Sequence, residues 1–430
     1  MNYYKRTADT LLQDLLDAFG AVLIEGPKWC GKTTTASQLA NSILRMQDPS
    51  MREEYLATAK TKPSILLKGD TPRLIDEWQD APMLWDAVRT TVDDRQIPGQ
   101  FILTGSNAVD KSQIHHSGAG RIARLRMLPM SLWESQESTG EVSLKELFNN
   151  PDYDIDGKMS KMTVEDLIFA ASRGGWPASL LARTPKAQLL VAKNYVQTIC
   201  SDDVSGIDGK KRDAKLTSMI LRAYARNVST LVKKKSLLDD VTSSGEVSCH
   251  VDTFDDYVSA LEKLFVIQNI SAWCPAIRSK TAIRSSVKRC FCDPSIPIAL
   301  LGLSPESLSM QLRTFGFIFE QMCIRDLKAY TIDLNSHVSY YHDRYDLEAD
   351  IVLHLEDGRY ALIECKLGSS EIDEGAKHLL ELKRLIQEHN KTEKQVPIRE
   401  PDLLIVMTGG TMAYSRPDGV KVIPLACLKD

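Results

Sequence analysis

Short apolar runs separated by polar turns mark the N-terminal part of the chain. Residues 21–25, 72–77 and 100–107 each have the length and apolar content of a strand. Residues 34–46 follow the first run, with apolar side chains spaced for one face of a helix. Strands that alternate with helices predict an open α/β sheet, in which ligands bind at the carboxyl edge of the strands.

The rest of the chain alternates between helical periods and strand patterns. Residues 136–162 are polar and contain turn signals, so we expect an insertion or linker there. Helices are predicted over residues 164–172, 187–204, 253–264, 315–327 and 372–388. Strands are predicted over residues 265–267, 351–355 and 359–366, with a hairpin turn at residues 356–358.

Length and charge limit the classes of protein that this chain can represent. A chain of 430 residues is longer than one compact core normally needs, which predicts about two to four domains. Its hydrophobic content of 43% and charged content of 26% are ordinary for a globular protein. The formal net charge is −4, so nucleic-acid binding would require a local basic patch.

Targeting signals and cysteines indicate the compartment. The N-terminus lacks the apolar run of a secretion signal, and no apolar stretch approaches the roughly 18–20 residues that cross a bilayer. We therefore expect a cytoplasmic protein with no membrane partner, whose nine cysteines are reduced thiols. A metal site at Cys274, Cys290 and Cys292 is the alternative, although no second CxxC pair or nearby histidine accompanies them.

A phosphate-binding motif joins the first predicted strand to the helix that follows it. Residues 26–33 fit Gly-x-x-x-x-Gly-Lys-Ser/Thr at every fixed position. The glycines let the backbone N–H groups point at phosphate oxygens, and the helix N-terminus adds positive partial charge. The lysine reaches the β- and γ-phosphates, and the threonine hydroxyl ligates Mg²⁺. The predicted nucleotide contacts are Gly26, Pro27, Lys28, Trp29, Cys30, Gly31, Lys32, Thr33 and Thr34.

Polar side chains also end the second and third predicted strands. Asp76 is expected to hold Mg²⁺, directly or through water, and Glu77 to orient and deprotonate the attacking water. Thr104, Ser106 and Asn107 are candidates for sensing the γ-phosphate, and an ordinary strand-to-loop turn is the alternative for them. Together these groups predict ATP and Mg²⁺ as cofactors.

The segments 26–33, 74–82 and 101–106 together resemble the AAA+-type ATPases of bacteria and archaea. The subfamily that they resemble carries a C-terminal domain of unknown function. The resemblance implies a P-loop core domain that ends near residue 135 and has its last core strand at residues 128–131.

The same resemblance suggests Arg121 as an arginine finger, acting within its own chain or from a neighbouring subunit. Arg124 and Arg126 compete for this role, and a surface arginine is the commoner case. A finger supplied by a neighbour would make a second copy of the chain a partner in a homo-oligomer.

A glycine–proline loop follows the helix predicted over residues 164–172. Gly175-Trp176-Pro177 resembles the lid of the signal-transduction branch of AAA+ ATPases. The resemblance implies a helical lid in which Pro177 contacts the adenine side of the nucleotide. A loop punctuated by glycine and proline is the alternative.

The middle of the chain resembles a winged helix-turn-helix. Its edges would be basic, which implies electrostatic contact with DNA phosphates and no reading of sequence. A solvated face or a subunit contact is the alternative. The basic residues are Lys233, Lys234, Lys235, Arg278, Lys280, Arg284, Lys288 and Arg289.

Acidic residues and a lysine cluster in the predicted C-terminal hairpin. Glu364 and Lys366 are two apart in one strand and so share a face, and Asp350 can meet them across the hairpin. Two carboxylates and a lysine can build a Mg²⁺ site that activates water against a phosphodiester. This arrangement resembles the restriction-endonuclease-like fold, in which Glu320 matches the acid of the first helix.

These observations predict four segments with separate roles. They are a P-loop core at 1–135, a linker and helical lid at 136–205, a winged helix at 206–295 and a nuclease-like α/β domain at 296–430. Our first hypothesis is an ATPase whose nucleotide state controls a nuclease-like, DNA-binding C-terminal domain. The alternative is a switch or assembly ATPase whose C-terminal domain only docks a protein partner.

Overall fold

The computed structural model describes residues 3–107, 116–243, 245–274, 286–392 and 397–430. The chain forms two compact units. The first unit contains Met1–Pro129 with Lys263–Phe265, and the second contains Met130–Glu262 with Val266–Asp430. None of the helices in the described ranges is long and apolar enough to cross a membrane.

The first unit is built on a parallel sheet of five strands, in the order β2-β3-β4-β1-β5. The strands are β1 (Ala21–Glu25), β2 (Ser42–Arg45), β3 (Arg73–Asp76), β4 (Phe101–Gly105) and β5 (Ile122–Arg126). The helices are α1 (Ala8–Ala18), α2 (Lys32–Leu39), α3 (Arg52–Thr61) and α4 (Met83–Arg95).

Continuous apolar runs explain why the central strands occupy the middle of this sheet. Every residue of β1 and β4 is buried, as expected for parallel strands that are covered on both faces. Trp78, Leu84, Trp85 and Val88 pack beside these strands in one apolar cluster. The α/β fold predicted for this part of the chain is confirmed.

Two local predictions in the first unit were wrong. The helix predicted over 34–46 ends at Leu39, and residues 42–45 form β2, which pairs with β3. The apolar pair Ile43-Leu44 fits a helical face and a short strand equally well, and strand pairing decides the outcome. The last core strand is β5, and it ends before residues 128–131.

The second unit begins with helices. Those before its large sheet are α5 (Leu144–Asn149), α6 (Val164–Arg173), α7 (Pro177–Leu181), α8 (Pro185–Thr198), α9 (Val204–Gly206), α10 (Ala214–Arg226), α11 (Lys234–Thr242), α12 (Val251–Lys263), α13 (Ser295–Leu301), α14 (Pro305–Ser309) and α15 (Leu312–Tyr330). A π-helical turn, Ile199–Asp203, continues α8. The helices predicted over 164–172, 253–264 and 315–327 are confirmed to within a few residues.

A six-stranded mixed sheet completes this unit, in the order β11-β12-β10-β9-β8-β7. Its strands are β7 (His337–His342), β8 (Glu348–His354), β9 (Tyr360–Lys366), β10 (Leu403–Thr408), β11 (Tyr414–Ser415) and β12 (Lys421–Pro424). Helix α16 (Ile372–Thr392) covers one face through Ala376, Leu379 and Leu382. The predicted hairpin is confirmed, because β8 and β9 pair antiparallel with Ile351 opposite Ile363.

Short stretches of pairing also occur outside this sheet. The strand predicted over 265–267 is reduced to a bridge between Ile267 and Phe291, beside a second bridge between Ile270 and Lys288. The segment 136–162, which we expected to be an insertion or linker, contains a two-residue strand β6 (Val142–Ser143). That strand pairs with β13 (Leu428–Lys429) at the end of the chain.

A buried ionic network joins distant segments of the second unit. The Arg325 guanidinium lies 3.1 Å from the Asp293 carboxylate and 2.6 Å from the Asp326 carboxylate. These carboxylates accept hydrogen bonds from the backbone N–H groups of Gly175 and Leu132, each 3.0 Å away. A side chain at Gly175 would collide with the Met130 backbone, since its Cβ would lie 2.1 Å from that carbonyl oxygen.

Replacing Arg325 by methionine should destabilise the chain strongly. The change leaves two carboxylates buried and unpaired, which typically costs about 3–5 kcal/mol of unfolding free energy. Arg384→Met is the matched control, because Arg384 is half exposed and its ion pairs among the described residues are with Glu381 and Glu388 on its own helix. Urea unfolding followed by circular dichroism compares the two midpoints. Equal midpoints would show that the buried network does not hold this unit together.

Candidate functional site

The phosphate-binding loop lies between β1 and α2, as its sequence predicts. Its two glycines have left-handed backbone angles, with φ of 155° at Gly26 and 103° at Gly31. A Cβ on Gly26 would lie 2.2 Å from the Met127 carbonyl oxygen, so no other residue fits there without displacing the backbone. The loop therefore presents backbone N–H groups at the N-terminus of α2, where an anion is favoured.

The loop lysine is buried inside the loop that carries it. Lys32 Nζ donates hydrogen bonds to the carbonyl oxygens of Gly26, 3.0 Å away, and Pro27, 2.9 Å away. The ammonium is only slightly exposed and is already positioned among the atoms that would surround a β- or γ-phosphate.

Three oxygen-bearing side chains converge beside the lysine. The Thr33 hydroxyl donates to Asp76 Oδ1 at 2.7 Å, and the Thr104 hydroxyl donates to the same oxygen at 2.6 Å. Parallel pairing of β3 with β4 brings these strand ends together, because Asp76 and Thr104 are register partners. Mg²⁺ is commonly held by one or two such oxygens together with substrate phosphates and water, so Thr33 and Asp76 fit this ion.

Glu77 follows Asp76 in a strained backbone conformation, with φ of 56°. Its carboxylate accepts hydrogen bonds from the Gln79 amide and from the Ser106 hydroxyl, the latter at 3.4 Å. Burial raises the pKa of Glu77 above its ordinary value, while Gln79 and Lys32 act in the opposite direction. A partly buried carboxylate with a raised pKa is suited to accept a proton from water. Asn107 lies just beyond β4, and its role in sensing the γ-phosphate stays a prediction.

Arg121 cannot act as an arginine finger within its own chain. It precedes β5, and its backbone carbonyl oxygen accepts a hydrogen bond from the N–H of Ala21, which places it at the amino edge of the parallel sheet. The phosphate-binding loop lies at the opposite edge, about 16 Å away along a five-residue strand. The guanidinium is half exposed and pairs with Asp93 at 2.7 Å. A finger supplied to a neighbouring subunit stays a prediction.

The two competing arginines lie nearer the loop. Arg124 and Arg126 each approach the buried Glu25 carboxylate to 3.6 Å, and Arg126 is the register partner of Glu25. Arg126 is therefore at the carboxyl edge of the sheet. Its register partner Glu25 directly precedes the phosphate-binding loop.

Sequence reasoning missed a buried arginine behind the loop. The Arg6 guanidinium donates to the carbonyl oxygens of Cys30 and Leu128, each 2.8 Å away. The nearby Tyr3 hydroxyl donates to Asp9 at 2.6 Å and is 2.9 Å from the Thr35 hydroxyl. These contacts fix the loop to the N-terminal segment. No motif marks Arg6 in the sequence, because its role depends on burial.

In the second unit, Pro177 is the first residue of α7. The loop before it is explained by local packing, since Gly175 contacts Met130 and the Trp176 indole N–H donates to the Ser295 hydroxyl at 3.0 Å. The contact of Pro177 with an adenine stays a prediction.

Two of the eight residues predicted for a basic wing cannot serve in it. Lys288 and Arg289 are buried, so neither can contact a DNA backbone. Arg289 donates instead to the Val232 carbonyl, at 3.1 Å and 3.2 Å. Lys233, Lys234 and Lys235 are exposed, and Lys234 pairs with Asp255 at 2.8 Å. Arg278, Lys280 and Arg284 lie outside the described residues.

The acidic residues of the C-terminal region do meet on one face. Asp350 lies on β8 next to the register pair Ile351–Ile363, which places it across from Glu364 on β9. Lys366 Nζ is 3.0 Å from Glu364 Oε2, as their spacing predicts. Burial raises the pKa of Glu364 to about 9, Asp350 adds to this rise, and Lys366 opposes it.

Helix α16 closes over the same face. A Cβ on Gly375 would lie 3.2 Å from Lys366 Cγ and 3.3 Å from Glu364 Cβ, so a glycine here permits the close approach. His378, almost one turn further on, places Nδ1 at 3.8 Å from Glu364 Oε2. Glu364 is consequently enclosed, with no exposed surface.

The Lys288 ammonium lies on the other side of this cluster. Lys288 Nζ lies 2.5 Å from Glu320 Oε1, 3.0 Å from the Asp350 carbonyl oxygen and 3.7 Å from Asp350 Oδ1. Within the described residues, no three or more His, Cys, Asp or Glu side chains are arranged to hold a metal. The Mg²⁺ predicted at Asp350 and Glu364 therefore does not fit the cluster as it stands.

The cysteines form no disulfides. All nine lie in the described ranges and are free thiols. Cys290 and Cys292 are buried, and burial raises the pKa of the Cys290 thiol to about 12.

Three family models match successive parts of the chain. Residues 18–136 match the model of an AAA domain. Residues 164–307 and 315–428 match two domains of unknown function, DUF8612 and DUF4143.

Two mycobacterial proteins are similar to this chain over most of its length. Proteins of Mycobacterium tuberculosis and Mycobacterium bovis, both described as uncharacterized, are each 24% identical over 366 residues. The match covers 83% of this chain and 72% of each relative.

Two archaeal structures are similar at low identity. A Walker-type ATPase of Pyrococcus abyssi has a TM-score of 0.40 and 12% identity, over 70% of this chain and 96% of that chain. A signal-transduction ATPase of Pyrococcus horikoshii with a tetratricopeptide repeat sensor has a TM-score of 0.25 and 12% identity, over 74% of this chain and 47% of that chain.

With the match over residues 18–136, the loop geometry identifies the N-terminal part of the chain as an AAA-type ATPase domain.

Replacing Glu77 by glutamine should slow ATP hydrolysis by about 10²–10⁴-fold and leave ATP affinity nearly unchanged, because the amide cannot accept the proton of water. In the unaltered chain, the rate of hydrolysis should fall as the pH drops through the raised pKa of Glu77. In Glu77→Gln, the rate should no longer fall over that range of pH. Glu53→Gln, an exposed residue of α3, is the control. Steady-state phosphate release across pH measures both effects. Full activity in Glu77→Gln would exclude this base.

Proposed function

We propose that this chain is a Mg²⁺-dependent ATPase that works as a nucleotide-controlled switch, and that the second unit is the part that the switch controls. The observation that carries the proposal is the shared contact of Thr33 and Thr104 with one oxygen of Asp76, beside the buried Lys32. The Lys32 ammonium, together with a Mg²⁺ that Thr33 and Asp76 would hold, would supply positive charge where a phosphoryl group is transferred.

Each residue of the proposed site has a separate task. Backbone N–H groups of the loop and the Lys32 ammonium bind and orient the β- and γ-phosphates. Thr33 and Asp76 would hold Mg²⁺, which neutralises charge that develops on the transferred phosphoryl group. Glu77 takes a proton from the attacking water. Ser106, whose hydroxyl donates to Glu77, keeps that carboxylate oriented and can exchange this bond for one to the γ-phosphate.

The arginine finger of the proposal comes from a second copy of the chain. Arg121 is half exposed, pairs with Asp93 and lies at the edge of the sheet opposite the loop, so the phosphates that it would contact are those of a neighbouring copy. Such a finger would link hydrolysis to assembly of a homo-oligomer.

For the C-terminal domain, the geometry favours binding of a protein partner over cleavage of nucleic acid. A nuclease site of the predicted kind needs a divalent cation between Asp350 and Glu364. The Lys288 ammonium is already bonded to Glu320 and Asp350, and Glu364 is enclosed by β9 and α16. We therefore propose that the C-terminal domain has a nuclease-like fold without nuclease activity and binds a protein partner.

Two features support a winged helix as part of this output region. Helices α10, α11 and α12 are followed by a bridged pair of extended segments, in which Ile267 meets Phe291 and Ile270 meets Lys288. Of its predicted basic edge, the exposed group in the described residues is Lys233–Lys235. DNA contact through that group stays a second, weaker proposal.

One experiment addresses both halves of the proposed function. The purified chain is incubated with ATP, Mg²⁺ and supercoiled plasmid DNA, and phosphate release and strand breakage are measured together. We expect phosphate release with intact DNA, and Lys366→Ala should change neither readout. Plasmid nicking that Lys366→Ala abolishes would restore the nuclease hypothesis. Intact DNA without phosphate release would instead exclude the ATPase.

A further inference from the structure

Lys288 enters the C-terminal cluster from a different part of the chain. It lies on the short hairpin that residues 267–270 and 288–291 form, within the region that matches DUF8612. The carboxylates that it meets, Glu320 and Asp350, belong to α15 and β8, within the region that matches DUF4143. The contact thus joins two separately matched regions of the second unit.

The surroundings of the ammonium resemble the coordination of a metal ion. Three oxygens face Lys288 Nζ: Glu320 Oε1, the Asp350 carbonyl oxygen and Asp350 Oδ1, at 2.5, 3.0 and 3.7 Å. Carboxylate and carbonyl oxygens are the ligands that Mg²⁺ and Ca²⁺ prefer. An ammonium carries the positive charge that such a set of oxygens requires. It donates hydrogen bonds to Glu320 Oε1 and to the Asp350 carbonyl oxygen, and it attracts the Asp350 carboxylate at ion-pair distance.

Burial makes this contact strong and fixed. The side chains of Lys288 and Glu320 are 6% and 9% exposed, so solvent screens their attraction little. Burial alone would lower the pKa of Lys288, but the Glu320 and Asp350 carboxylates reverse that effect and raise it above its ordinary value. The side chain is therefore a permanent cation.

The hairpin that carries Lys288 is held in place by further contacts to the sheet. Trp273 donates its backbone N–H to the Tyr340 carbonyl at 2.6 Å, and the Tyr340 hydroxyl bonds to the Ser286 carbonyl. The Tyr340 ring centroid is 5.7 Å from Lys288 Nζ, within the range of a cation–π contact. The hairpin that carries Lys288 is thus hydrogen-bonded to β7.

We propose that Lys288 is a built-in counter-ion that takes the place of a divalent metal in the Glu320–Asp350 cluster and keeps such a metal out. The cluster then serves as an internal docking point that fixes the hairpin to the C-terminal sheet. This inference rests on the docking role given to the C-terminal domain under the proposed function, and it is independent of ATP hydrolysis.

Mn²⁺ binding, counted by electron paramagnetic resonance on the full chain without nucleotide, tests the proposal directly. The unaltered chain and Asp350→Asn should bind equal numbers of Mn²⁺, because no metal uses Asp350. Any Mn²⁺ at the phosphate-binding loop contributes equally to both and cancels. One Mn²⁺ fewer in Asp350→Asn would overturn the proposal.

Removing the ammonium should create the site that it suppresses. Lys288→Ala should gain one Mn²⁺, and Lys288→Ala/Asp350→Asn should lose it again. Lys377→Ala is the control, since Lys377 is exposed on α16 and should gain nothing. A folded Lys288→Ala that gains no Mn²⁺ would contradict the claim that Lys288 keeps a metal out.

If Lys288→Ala folds poorly, thermal unfolding of other variants tests the role of Lys288 instead. Lys288→Met should melt well below the unaltered chain, because Glu320 and Asp350 lose their counter-ion. Lys288→Met/Glu320→Gln should recover most of that loss, since the second change removes one of the two uncompensated charges. Equal melting of the single and double variants would refute an electrostatic role for Lys288. ATP hydrolysis measured in parallel separates this failure from failure of the proposed ATPase.

Discussion

Parallel pairing of β1, β3 and β4 is the constraint on which the ATPase site depends. Because these strands run in one direction, their carboxyl ends reach the same edge of the sheet. Asp76 ends β3, Gly105 ends β4 and Glu25 ends β1 directly before Gly26, and the three strands lie side by side in that order. The close approach of Gly26 to Met127 fixes the loop at that edge. Without this pairing, Thr33, Asp76 and Glu77 would be separate surface residues with no joint chemistry.

Buried cations surrounded by oxygens recur in the chain. Lys32 is held by loop carbonyls, Arg6 by the carbonyls of Cys30 and Leu128, Arg325 by two carboxylates and Lys288 by Glu320 and Asp350. Such groups add little net stability by themselves, but removing one partner is costly, so each fixes a single arrangement of the segments it joins. Lys32 differs from the others because its oxygens can be exchanged for those of a phosphate.

The residues of the proposed nucleotide site could be found in the sequence because their signals are local. Gly26, Lys32 and Thr33 have fixed spacing, and Asp76 and Glu77 directly end an apolar strand, so no long-range contact was needed to find them. Periodicity also located α6, α12, α15 and the β8–β9 hairpin. It failed at residues 42–45, where a short apolar pair fits either period and pairing with β3 decides.

What the sequence could not give is the burial of charged residues. Lys288 reads as one of several basic residues in a polar stretch, and only the fold reveals that it lies among Glu320 and Asp350, far away in sequence. Arg6 is missed for the same reason. The sequence left open whether Arg121 acts within its own chain or on a neighbour, because sequence spacing does not reveal which edge of a sheet a residue occupies. The structure places it at the amino edge, away from the phosphate-binding loop.

The most direct test of the central claim is equilibrium binding of ATP, with Mg²⁺ present, to the unaltered chain and to Lys32→Ala. Removing an ammonium that makes charge-assisted hydrogen bonds to phosphate should weaken binding by about 100-fold or more, a loss of about 3 kcal/mol. Lys60→Ala, an exposed residue of α3, should bind as tightly as the unaltered chain. Equal ATP affinity in Lys32→Ala and the unaltered chain would contradict the assignment of residues 26–33 as the nucleotide site.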